Sequence, residues 1–130
     1  MNVKKLYHMG VLPYSIWIVV ADTHEEASNV LSKTMGCESD SNPESLVGQA
    51  VEYEGDCAVM YGISYKRNVP YHVIAHEASH IAIYIFSRIE TPINDDTTEV
   101  FAFLVEFICA CSQQCFDNFD KKFGSLEKGS

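Results

Sequence analysis

The sequence predicts an α+β domain, and three observations predict it. Apolar and polar residues alternate on both sides of Gly55-Asp56, as a β-hairpin requires; Tyr14 to Ala21 is a run of β-branched and aromatic residues; and two long C-terminal segments read as helices, the second apolar on nearly every side. At 130 residues and 47% hydrophobic content the chain is long enough for one core. Residues 1–123 are expected to form that domain, and the polar tail 124–130, GSLEKGS, to be disordered.

The elements follow in order. The opening MNVKKLYHMGVLPYSIWIVV places apolar residues after two lysines, but His8, Gly10 and Pro13 interrupt the run, so it does not read as a secretory leader. Tyr14 to Ala21 (YSIWIVVA) reads as a buried strand. Asp22 or Thr23 then caps a helix running to about Met35. Thr23-His24-Glu25-Glu26 has the form of a capping box, and Gly36 is the stop. Cys37 to Ser45 is a polar, acidic loop containing Pro43. Val51 and Tyr53 alternate with Glu52 and Glu54 before the Gly55-Asp56 turn, and Cys57 to Tyr65 alternates after it, giving the two hairpin strands. Pro70 suits the first turn of a helix from about Val69 to Ser87. Arg88 to Asp96 is a connection holding Pro92. Thr97 to about Phe119 reads as a second helix, apolar on nearly every side until Cys115 with Glu99 and Glu106 its only charges there. Such a helix is central in the fold or packed against another subunit.

Charge and cysteine usage narrow the partners. A formal net charge of -9 repels a phosphate backbone and an anionic membrane surface, so neither nucleic acid nor membrane is expected as a partner, whereas a divalent cation is attracted. No uninterrupted apolar run approaches the roughly 20 residues of a membrane span. Five cysteines, an odd number without regular spacing, do not form a disulfide framework and suit a reducing cytoplasm. Cys109, Cys111 and Cys115 include no CxxC pair and read as small buried hydrophobes.

Chemistry concentrates in AHEASH, Ala75 to His80. Residues four apart on a helix stand one turn above each other, so His76 and His80 can converge on one metal ion, with Glu77 about 100° around the helix. A catalytic zinc takes three protein ligands and leaves a fourth position for water. The best third candidate is Glu99, eighteen residues beyond His80 in the first turn of the next helix, with the small Ala102 three residues later. His72 extends the stripe, but it and His80 stand about 12 Å apart along the helix and cannot share an ion; it is a rim candidate. Glu106, about 10 Å beyond Glu99 along its helix, is a candidate partner for a ligating histidine.

His76-Glu77-x-x-His80 with Glu99 after eighteen residues resembles the gluzincin class of zinc metallopeptidases. More closely, IAHEASHIAIYIF followed by DDTTEVFAFLVEFI is similar to a family of small phage and prophage proteins carrying an HExxH helix and a helix that begins E-x-x-A-[FY]-L. The resemblance covers roughly residues 57 to 110. It implies a minimal zincin-like fold, a small sheet or hairpin packed on the HExxH helix and the long following helix, in the cytoplasm of a bacterial host. It also implies Zn2+ held by His76, His80 and Glu99, and Glu77 as general base for hydrolysis of a peptide or protein substrate. Larger gluzincins add a downstream Tyr or His that binds the substrate oxyanion. No Tyr or His follows Glu99 here, which leaves the upstream His72, Tyr71, Tyr61 and Tyr65 as candidates. By the same resemblance, the edge of the Cys57 to Tyr65 strand would pair with an extended substrate. The alternative is a non-catalytic zinc-binding module whose apolar second helix mediates self-association; a third reading is an interaction module that holds no metal.

Overall fold

The structure, a computed structural model, describes residues 2–8, 15–36, 47–54 and 59–120. In chain order they form β1 (Asn2–His8), β2 (Ser15–Ala21), α1 (His24–Met35), β3 (Gly48–Glu54), β4 (Val59–Lys66), α2 (Tyr71–Arg88) and α3 (Thr98–Phe119). The class is mixed α and β, as expected. The four strands lie in the order β1-β2-β4-β3, with β2 and β4 parallel and both outer pairs antiparallel.

The β2–β4 pair is covered on both faces. Ile16, Ile18 and Val20 of β2 and Tyr61, Ile63 and Tyr65 of β4 point to one side, where they pack with α2 and α3. Val19 and Ala21 point to the other, against Ala27, Leu31 and Met35 of α1. Two-sided burial accounts for the continuous apolar run of β2, because alternation appears only where one face meets water. Each buried isoleucine contributes about 1.5–3 kcal/mol relative to an exposed one.

Local signals set α1. The Thr23 hydroxyl accepts the Glu26 N–H at 3.2 Å, and Gly36 ends the helix at φ 74°, a left-handed conformation that glycine adopts without strain. The helix sits close to the sheet because Gly62 faces it: a Cβ there would lie 2.7 Å from Met35 Sδ and 2.8 Å from Leu31 Cδ1.

Several expectations change. Strand β1 was not anticipated, since NVKKLYH has two adjacent lysines that break a period of two; it forms by pairing along the whole length of β2. Pro70 stands at the N-cap of α2 rather than inside its first turn. The strand expected to offer its edge to a substrate, β4, is interior and paired on both sides, so among the described residues the free edge near α2 belongs to β3. The Gly55-Asp56 turn, the Cys37 to Ser45 loop and the 124–130 tail lie outside the described residues.

The apolar α3 divides in two. Its C-terminal half, from Ile108 to Phe119, buries Ile108, Cys109, Cys111, Cys115, Phe116 and Phe119 in the core. The Tyr65 hydroxyl meets the Ser112 hydroxyl at 3.0 Å, and the Tyr65 ring packs on Phe116. The N-terminal half carries exposed Val100 (61%), Phe103 (67%) and Phe107 (39%). By length and composition alone α3 could cross a membrane, since Glu99 and Glu106 interrupt its apolar residues without lowering the mean hydropathy enough to exclude it. The insertion of its C-terminal half beneath the sheet is the behaviour of a core helix.

Replacing Gly62 by Val should lower stability by about 1–3 kcal/mol, because α1 must move off the sheet; urea denaturation measures it. An unchanged midpoint would mean that α1 does not pack on this face.

Candidate metal centre

Helix α2 leaves β4 through the tight Arg67-Asn68 turn, in which Asn68 adopts φ 62°, and returns beside β3. Its apolar residues Ile74, Ala78, Ile81 and Ile85 face the sheet, which fixes the rotation of the helix and decides where the motif points. His76 and His80 lie one turn apart with their Nε2 atoms 3.1 Å from each other. Their rings meet edge to face, at 4.7 Å between centroids and 81°. The His76 side chain is 67% exposed, so the pair opens to solvent.

Glu77 points toward the sheet instead. It is buried, and its Oε1 accepts the Ala50 N–H of β3 at 3.0 Å. Val47 O accepts the Lys66 N–H, and in an antiparallel ladder hydrogen-bonded residues alternate, so Ala50 turns its N–H away from β4 to the free edge. The Glu77 carboxylate satisfies an edge donor that the sheet leaves unused. Its Oε2 lies 4.0 Å from His76 Nε2.

The donor set fits a zinc ion in two respects. Two imidazole nitrogens bound tetrahedrally at about 2.0–2.1 Å stand roughly 3.3 Å apart, close to the 3.1 Å between these Nε2 atoms. The ligand atoms of His76, Glu77 and His80 also all lie within 4.8 Å of one another.

Glu99 does not join this group. It is exposed in the first turn of α3, and α3 runs antiparallel along another side of α2: Phe101 packs on Phe86 with ring centroids 5.2 Å apart, and Tyr71 lies beside Cys109. Phe86 is about 120° around α2 from His80, and Glu99 about 160° around α3 from Phe101. Glu99 is not among the ligand atoms that lie within 4.8 Å of one another, which come from His76, Glu77 and His80.

The other candidates are also dispersed. Tyr71 turns to Cys109 and lies beside the exposed Glu106, Tyr65 is held by Ser112 in the core, and Tyr61 is buried with its hydroxyl toward Arg88. His72 is exposed one turn before His76, outside the group. The Cys115 thiol faces the Ile18 carbonyl oxygen at 3.8 Å. Burial pushes the Cys109 thiol up, against a smaller lowering by Tyr71, which disfavours its thiolate.

Two neighbours of the site were missed in the sequence. The Ala50 N–H has no sequence signature. Tyr84 does: it continues the four-residue spacing of His72, His76 and His80, and its ring stacks on His80 at 6.1 Å and 22°. Partial burial, followed by the charges of Glu77 and Glu52, raises the Tyr84 hydroxyl above its ordinary pKa and keeps it protonated at neutral pH. Beyond Tyr84 an open groove of about 350 Å³ is lined by Glu52, Ser87, Arg88 and Glu90, and Arg88 reaches Glu52 at 3.2 Å and Glu54 at 3.7 Å.

Comparison with family models, with curated proteins and with solved structures finds no match to the chain.

The register of β3 can be checked by proline scanning. Ala50→Pro removes an N–H outside the ladder and should cost about 1–3 kcal/mol, mainly by depriving Glu77 of its donor. Val51→Pro removes a ladder bond as well and should cost more. Equal losses in urea denaturation would contradict the outward direction of the Ala50 N–H.

Proposed function

We propose that this protein is a zinc-dependent hydrolase of metallopeptidase type, of phage or prophage origin and acting in the host cytoplasm. His76 and His80 hold the metal and Glu77 is the base. The observation that carries the reading is the convergence of the two Nε2 atoms at 3.1 Å with the Glu77 carboxylate beside them. Bound zinc supplies a Lewis acid and lowers the pKa of a coordinated water to about 7.

The remaining roles belong to the chain itself. The Ala50 N–H engages Glu77 Oε1, which leaves Oε2, on the side of His76, as the atom that accepts a proton. The outward-facing backbone of β3 lies next to this carboxylate and suits an extended peptide, whose main-chain groups would satisfy edge positions that Glu77 does not occupy. The exposure of His76 keeps the metal position open to such a substrate. A minimal zincin-like architecture is the fold counterpart of this reading, supported by a sheet edge running beside an HExxH helix.

A third protein ligand is needed, and the resemblance assigns it to Glu99. Glu99 stands outside the group of His76, Glu77 and His80, so the assignment rests on the resemblance. Glu99→Ala tests it: loss of zinc affinity supports Glu99 as ligand, and unchanged affinity transfers the third position to Glu77 or to another group.

A second reading has a specific observation in its favour. The exposed Val100, Phe103 and Phe107 form an apolar strip on α3, as expected of a zinc-binding interaction module that self-associates. Metal analysis of untagged protein purified without chelators should give one zinc per chain, and His76→Ala with His80→Ala should abolish it. Substoichiometric zinc that added metal does not restore would overturn both metal readings. Glu77→Gln separates them: in a hydrolase it retains zinc while hydrolysis of a peptide library falls by at least about 100-fold, the lower range for a general base. A non-catalytic module shows no turnover to lose.

A further inference from the structure

Histidine ring orientation is soft, because the terminal torsion of the side chain is broad and nearly two-fold. Ligating histidines are usually oriented by a hydrogen bond from the second ring nitrogen to a carboxylate or carbonyl. Among the described residues His80 hydrogen-bonds only to His76, through Nε2, the atom that faces the metal position. Its ring is instead flanked by aromatic partners one turn away on either side, His76 edge-on at 4.7 Å and Tyr84 nearly parallel at 6.1 Å and 22°.

We propose that Tyr84 is a positioning residue for the metal site, its stacked ring holding the His80 imidazole in the orientation that turns Nε2 toward His76. This rests on the zinc reading above. The stacking geometry lies within the 4.5–7 Å range of favourable aromatic pairs. Tyr84 belongs to the helix that carries both histidines, so its relation to His80 follows from one turn of backbone and does not depend on loops. It is part-buried, at the boundary between the core and the Arg88 groove, and packs against the core cluster, so stability is read separately from metal affinity in the test. The ring performs the positioning, and the hydroxyl is dispensable for it.

The test compares wild type, Tyr84→Phe and Tyr84→Leu by competition for Zn2+ against a chromophoric chelator, with Co2+ absorption spectra of the same proteins and the melting temperature of each without metal. Tyr84→Phe should bind zinc like wild type. Tyr84→Leu should bind roughly threefold to tenfold more weakly, the size of one aromatic contact, with an altered cobalt band, in a chain whose melting curve still shows a cooperative fold. Equal zinc affinity in wild type and Tyr84→Leu would overturn the proposal while leaving the zinc site intact. Equal weakening in both variants would overturn it by assigning the effect to the hydroxyl. Wild-type protein that binds neither zinc nor cobalt would remove the zinc reading itself, and this inference with it.

Discussion

The parallel pairing of β2 with β4 is the constraint from which the rest of the arrangement follows. Parallel strands require a long crossover, so α1 and β3 are both spent between them, and a sheet with helices on both faces results. With β2 on one side of β4, β3 can only take the other, and it becomes an edge. Helix α2, leaving the end of β4, returns alongside that edge. The candidate metal centre therefore arises where an unpaired strand edge meets a helix whose apolar face is committed to the core.

That meeting resolves two electrostatic demands at once. A free edge exposes backbone N–H groups, and a buried carboxylate needs donors. Glu77 and the Ala50 N–H satisfy each other, and Arg88 with Glu52 and Glu54 ties the same two elements together about three helical turns further on. Exposed ion pairs such as these contribute little, about 0–1 kcal/mol each. The buried Glu77 contact carries more weight, because losing its partner would strand a carboxylate away from water. With Glu77 turned inward, the helix places His76 and His80 at its solvent border.

Legibility in the sequence followed the range of the interactions. Thr23 and Gly36 bound α1 where they were expected, because a capping hydroxyl and a left-handed glycine act within one turn. The His76/His80 stripe was equally readable, since helical spacing alone dictates it. β1 was not, because NVKKLYH acquires its conformation from β2 rather than from its own alternation. The interior position of β4 was also hidden, as a hairpin pattern specifies one neighbour of a strand and says nothing of the second. Tyr84 was visible as a fourth member of an i+4 series, yet a tyrosine at that spacing is usually core, and only its stacking on His80 distinguishes it.

By itself, then, the sequence determined the class, the helical elements and the convergence of two imidazoles, because period, capping and one turn of helix are local properties of the chain. Tertiary structure decided which strand forms the edge, that Glu77 is held by Ala50, and that Glu99 stands outside the His76-Glu77-His80 group. Each of these depends on how α2 and α3 rotate as they bury their apolar sides. The long α3 is apolar almost all round, so its own sequence leaves that rotation weakly specified, and contacts with the sheet and α2 select it.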